Sequence, residues 1–161
     1  MFVDARQSQF FGGLYEAVYE PDRWRAALSE VVRRSGSRMV VVVSVDLRRK
    51  EFSSVQFHGL EESSVETGIR EHAEGMAALD PTLRWAHENP GAGTCETTAL
   101  LPRNEYFDHE FIKWTSSRFG TTHWRVFYTE PVDGLSFGIS YHSPPDSGPP
   151  SREQLPVQAL L

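Results

Sequence analysis

Residues 39–45, Met-Val-Val-Val-Val-Ser-Val, form an almost unbroken β-branched run. It lacks the apolar–polar alternation of a half-exposed strand and is too short for a helix buried all round, so it predicts a strand covered on both faces. Other elements must therefore lie above and below it. A turn at 46–50 and an alternating stretch at 51–58 extend the run into an antiparallel hairpin, with Phe52, Ser54 and Gln56 on one side and Ser53, Val55 and Phe57 on the other.

Helical spacing surrounds this hairpin. Phe10, Leu14, Ala17 and Val18 predict a helix at 10–19, and Pro21 opens a second one, lined by Trp24, Leu28, Val31 and Val32, that stops before Gly36. Val65, Ile69, His72, Met76 and Leu79 mark one stripe of a helix over 61–79. At Asp80-Pro81 another helix begins, the carboxylate accepting from free backbone N–H groups; it carries Leu83 and Trp85 and breaks at Asn89-Pro90-Gly91. Residues 94–101 read as extended. A helix over 104–119 groups Phe107, Phe111, Trp114 and Arg118 on one face and ends at Gly120.

Residues 122–130 and 135–141 alternate as two strands joined by a turn at 131–134. Leu135, Phe137, Ile139 and Tyr141 fall on one side of the second strand, opposite Ser136, Gly138 and Ser140. The expected class is α+β, an antiparallel sheet with helices on both sides. Residues 1–9 read as a flexible start, 10–142 as the folded domain and 143–150 as a proline-rich loop. Residues 151–161 read as the start of a C-terminal helix that is cut short.

A length of 161 residues fits one domain, and the longest apolar run, 39–43, falls far short of the roughly 20 residues that cross a bilayer. No basic start leads into an apolar secretory core, which makes the cytoplasm the expected location. The lone Cys95 agrees with a reducing compartment and removes any zinc site built from several thiolates. Sixteen basic against 22 acidic residues leave a net charge of −6, a poor balance for gripping phosphates, so no direct nucleic-acid contact is expected. Arg33-Arg34 and Arg48-Arg49-Lys50 read as solvated clusters or, alternatively, phosphate contacts.

Phosphate cradles, zincin motifs and hydrolase elbows are missing from the sequence, and no cofactor or metal is expected. Glu105 and His109 stand one helical turn apart, either as a solvated pair or as metal ligands. Cys95 is either an inert thiol or a nucleophile. His72 interrupts an apolar stripe, so it is either a core histidine satisfied by a neighbour or a ligand contact. Asp80 is either a helix cap or a binding carboxylate. Aromatic residues make up 12% of the chain, and Trp85, Phe107, Phe111, Trp114, Trp124, Phe137 and Tyr141 either close the core or line a cavity between sheet and helices. Asp80, Trp85, Phe111, Trp114, Trp124 and His72 are the candidate ligand-binding residues.

The succession LYEAVYEPDRWRAAL, VVVVSVD, HAEGMAALDPTLRWA and CETTALLPRNEYFDHEFIKW, followed by two strands and a proline-marked loop, resembles the N-terminal sensory domain of LuxR-type helix-turn-helix transcriptional regulators. The resemblance spans residues 14–155 and implies a PAS/GAF-like sheet that binds a small apolar or amphipathic effector. It also implies control of dimerisation, with a homodimer expected, or of an attached DNA-binding domain that this chain does not carry. In the acyl-homoserine-lactone receptors of that family, an Asp-Pro resembling Asp80-Pro81 places its carboxylate on the ligand amide. The same receptors set a Trp and a Tyr on the preceding helix, and residues 68–74 here have neither. The alternatives are a protein-interaction module without a ligand and an enzyme using His72 and Asp80 as acid and base.

Overall fold

The computed structural model describes residues 20–91 and 93–150. The start at 1–9 and the helices expected at 10–19 and 151–161 lie outside them. Strand β1 (Met39–Asp46) pairs antiparallel with β2 (Glu51–His58) along one edge. Along its other edge it pairs antiparallel with the strand called β5 below, Leu135–Ser143. Strands β3 (Gly93–Glu96) and β4 (His123–Tyr128) complete a five-stranded sheet in the order β2-β1-β5-β4-β3. The β4–β5 hairpin turns on Asp133 and Gly134, both at positive φ (52° and 84°), the backbone that a two-residue turn needs to match strand twist.

Helices cover both faces, as the both-sides-buried run requires. On the outer face, helix α1 (Pro21–Ser35) packs Val31 and Val32 on Val40, Phe127, Ile139 and Tyr141. On the inner face lie α2 (Glu62–Glu74), α3 (Pro81–Glu88) and α4 (Glu110–Phe119), opposite Met39, Val41, Val43 and Val45. The architecture is α+β.

Four local expectations change. The β1–β2 register slips between Ser44 and Val45, so that Ser44 pairs with Ser54 but Val45 pairs with Phe52. Ser53 is the extra residue of a β-bulge, and Phe52 joins Val55 and Phe57 on the inner face instead of lying opposite them. The helix expected over 61–79 ends at Glu74, and a 3-10 turn follows at Met76–Leu79. Its buried edge is Gly68 and His72, while Ile69 and Leu79 are 41% and 37% exposed. The reason is Gly68: a Cβ there would sit 2.3 Å from the Phe119 ring, so only glycine lets α2 approach α4 this closely.

The helix expected over 104–119 is likewise divided, into a 3-10 turn at Tyr106–Asp108 and α4. His109 takes an extended backbone between them and its Nδ1 accepts from Phe111 N at 3.3 Å, so it caps α4, and Phe107 swings outward to 58% exposure. Within 94–101, only the first residues are strand. Thr97–Ala99 forms a 3-10 turn because the buried Thr97 hydroxyl meets Tyr106 at 2.7 Å and the Trp124 carbonyl at 3.3 Å.

Gly68→Ala gains helix propensity of roughly 1 kcal/mol. The collision with Phe119, itself packed on Phe57 and Trp114, outweighs that gain. A net loss of about 1–3 kcal/mol is expected in urea denaturation; an unchanged or higher midpoint would show that the close approach is not required.

Candidate functional site

The inner face of the sheet carries large residues on β1, β2 and β4, whereas β5 brings the small Ser136, Gly138 and Ser140 before His142 at its end. Gly138 on β5 is occupied by the Tyr128 ring, whose atoms would lie 2.7 Å from a Cβ there. Next along the strand comes Ser140, which leaves space above it. A cavity of about 40 Å³ remains between the sheet and the three inner helices. Val41, Val43, Phe52 and Val126 line its floor, and His72, Asp80, Phe111, Trp114 and Phe119 its roof.

Asp80 stands at the junction of the turn and α3 and divides its two oxygens. Oδ1 accepts from the backbone N–H of Thr82 at 2.8 Å and of Leu83 at 3.4 Å, and from the Thr82 hydroxyl at 2.6 Å. That is the helix cap anticipated from Asp-Pro. Oδ2 makes no hydrogen bond with a described residue and lies 3.9 Å from His72 Nε2. Asp80 borders the cavity and is 8% exposed.

The rings form a wall. Phe111 contacts Trp114 at 5.3 Å and Trp124 at 5.8 Å between centroids, and Trp124 stacks on His142 at 5.1 Å. His72 sits among Phe52, Phe111 and Trp114, at 5.2, 6.2 and 6.0 Å. Trp114 gives its ring to the cavity but its indole N–H to Glu71 Oε2, at 2.7 Å. Arg118 holds the same carboxylate through both oxygens. Donation from Trp114, joined by that from Arg118, keeps the Glu71 carboxyl below the usual carboxylate range. The three side chains tie α2 to α4 beside the roof.

Five candidates from the sequence thus border one cavity: His72, Asp80, Phe111, Trp114 and Trp124. Trp85 does not; it stacks on the side of Tyr128 at 6.0 Å and covers Gly93. Phe107 and Phe137 are exposed, and Tyr141 lies on the outer face beneath α1. Phe52, Tyr128, Ser140 and His142 also border the cavity without having been singled out. For the last three, strand alternation carries a signal, but only knowledge of which face is inner makes it readable.

Burial pushes the Cys95 thiol up, so it stays protonated and lacks the thiolate of a nucleophile. The capping role of His109 accounts for the Glu105–His109 spacing, and no cluster of metal-ligating side chains occurs among the described residues. Buried His142 shares its Nε2 with Ser140 Oγ at 2.8 Å, and desolvation lowers the imidazole to about 3, so it is neutral near pH 7.

The chain matches no protein-family model and no curated protein sequence. Its fold is nonetheless shared with solved structures over nearly its whole length. The LBD (ligand-binding) domain of VqsR from Pseudomonas aeruginosa is 16% identical at a TM-score of 0.70, the match covering 98% of this chain and 89% of that one. The N-acylhomoserine lactone dependent LuxR family transcription factor CepR2 from Burkholderia cenocepacia is 11% identical at a TM-score of 0.59, covering 97% and 87%. The fold is therefore that of ligand-binding domains of LuxR-family regulators. Among the described residues, no helix is long and apolar enough to cross a membrane.

The divided carboxylate separates two roles experimentally. Asp80→Ala should cost about 0.5–2 kcal/mol through the lost cap, while Asp80→Asn, which keeps an acceptor oxygen, should cost clearly less. Equal losses by urea denaturation would mean that the cap is not what Asp80 supplies to stability.

A second expectation concerns His142. Folding lowers it from 6.5 to about 3, so between those values the unfolded chain holds a proton that the native chain lacks. The resulting stability is fully present above about pH 6.5 and is lost as the pH falls toward about 3. Wild type should therefore lose more stability than His142→Gln between about pH 6 and about pH 4. Parallel pH profiles for the two proteins would contradict this.

Proposed function

We propose that the chain is the sensory domain of a LuxR-type transcriptional regulator, a binding module and not an enzyme, whose inner cavity takes up a small amphipathic effector. The observation that carries this reading is Asp80: a buried carboxylate with one oxygen spent on the helix cap and the other beside an apolar void. Burying a charge is costly unless something pairs with it, and a guest that donates a hydrogen bond to Oδ2 would offset that cost. The fold shared with VqsR and CepR2 supports the same role.

A volume of about 40 Å³ admits little more than the polar end of a guest, since sites for drug-sized ligands span about 300–1,000 Å³. Entry of the remainder requires the roof to move, and the Glu71 link on Trp114 is the contact that must yield. Binding would thereby favour one arrangement of α2 and α4 over another, the differential affinity that a signalling equilibrium needs. On this reading, residues 10–142 form a PAS/GAF-like sensor in the cytoplasm, and 143–150 lead away from it. The acidic balance leaves DNA contact to a separate domain. For the output we favour homodimerisation through the exposed Val132 and Phe137 of the β4–β5 hairpin.

A thermal-shift panel of acylated lactones, fatty amides, amines and aromatic acids tests the sensing role. A genuine ligand at 100 times its Kd adds about 2.7 kcal/mol, roughly 5–10 °C for a chain of this size. If no class of compound raises the melting temperature, the sensing role is wrong. Sedimentation of Phe137→Asp tests the output: the variant should be monomeric where the wild type is a dimer.

A further inference from the structure

A guest in the cavity must complement what the lining leaves uncompensated; this step rests on the sensing role proposed above. Among the described lining residues there is no lysine or arginine, and Asp80 is the one carboxylate. Its nearest cationic candidate, His72 Nε2, stands at 3.9 Å from Oδ2, beyond hydrogen-bond length. Several lining hydroxyls are already engaged: Thr82 with Asp80 Oδ1, Thr115 with the Ile112 carbonyl, and Ser140 with His142. The cavity thus joins one buried negative charge to a wall of aromatic faces.

A neutral amide would satisfy a single lone pair of Oδ2 and leave the charge standing. An ammonium group would satisfy the lone pair and the charge together, and the faces of Phe111, Trp114 and Trp124 would add cation–π attraction, which grows when the cation is desolvated. A further proton has an acceptor in the same lining in the His142 tautomer whose Nε2–H faces Ser140, because Nδ1 is then a lone pair without a partner among the described residues. The volume is also sufficient: the cavity of about 40 Å³ exceeds the roughly 10–15 Å³ that a single water needs on the same measure, so a small polar head group has room in it.

We propose that the effector is an amine, a primary or secondary ammonium on a short aliphatic or aromatic body, with its head between Asp80 Oδ2 and the rings of Phe111, Trp114 and Trp124. This departs from the acylated lactone that the Asp-Pro resemblance brings with it.

The test is calorimetric titration of the full chain with three matched probes, 2-phenylethylamine, its N-acetyl derivative and 3-phenylpropanoate, with N-butanoyl homoserine lactone as a fourth. The amine is expected to bind at least about tenfold more tightly than the N-acetyl compound and the lactone, and the carboxylate not to bind. Asp80→Asn keeps the α3 cap, so it should fold, and should weaken the amine at least about tenfold while moving the N-acetyl compound little. The inference is overturned if the N-acetyl compound or the lactone equals or exceeds the amine, if the amine does not bind, or if Asp80→Asn binds it unchanged. A neutral probe that binds as tightly as the amine, or more tightly, overturns the amine alone and leaves the sensing role intact; that role falls only when the whole thermal-shift panel is silent.

Discussion

Strand β1 is hydrogen-bonded along both edges and covered on both faces, and the other elements take their positions from that. Its inner residues Met39, Val41, Val43 and Val45 set the surface on which α2, α3 and α4 settle, while Val40 gives α1 its seat. Because Val occupies both faces of β1, a slip of one position would still leave apolar side chains on each, so the register is set by the alternating partners, Ser136, Gly138 and Ser140 against Leu135, Phe137, Ile139 and Tyr141 on β5. The bulge at Ser53 fits the same requirement. It leaves Ser44 paired with Ser54 yet turns Phe52 inward beside Val55, so that the edge strand β2 presents apolar rings and branches where the cavity needs a wall.

Much of this was legible in the sequence because the signals are local. A β-branched run, a Pro at one helix start and Gly36 at its end, and Asp-Gly between two alternating stretches each constrain their own neighbourhood. What stayed hidden depends on partners far along the chain. Nothing near Gly68 announces that Phe119 will lie against it, and without that contact Ile69 is the natural choice for the buried stripe. Thr97 reads as strand until Tyr106 and Trp124 are known to converge on its hydroxyl. His109 looks like mid-helix until its imidazole is seen taking the Phe111 N–H.

The site divides along the same line. Asp80 declared its cap through the proline after it, and His72 declared itself by interrupting an apolar stripe, so both were readable as special. Which aromatic residues would accompany them was not. Phe111 and Trp114 share a helix face and Trp124 meets them from the sheet, whereas Trp85, one turn into α3, faces Tyr128 from the side away from the cavity. Aromatic content measures how much flat surface a chain carries; only the register of β4 against β5 decides which rings look inward.

On the proposed reading, Asp80 would link stability to sensing in a single side chain. Through Oδ1 it holds the start of α3, and through Oδ2 it faces the void, so whatever binds there acts on a residue that already orders the helix. On the proposed reading, a guest that pairs with Oδ2 would satisfy the oxygen that the helix cap leaves without a hydrogen bond, a gain that exists only in the arrangement where the carboxylate is buried. Elsewhere on the same roof, Glu71, Trp114 and Arg118 join α2 to α4, and on the proposed reading a guest too large for the present volume would disturb that link. Charge compensation at Asp80 and displacement at Trp114 would therefore act on different helices of the same roof. On the proposed reading, a ligand that did both would hold α3 more firmly while loosening α2 from α4, and such opposed effects would produce a change of arrangement where uniform tightening would not.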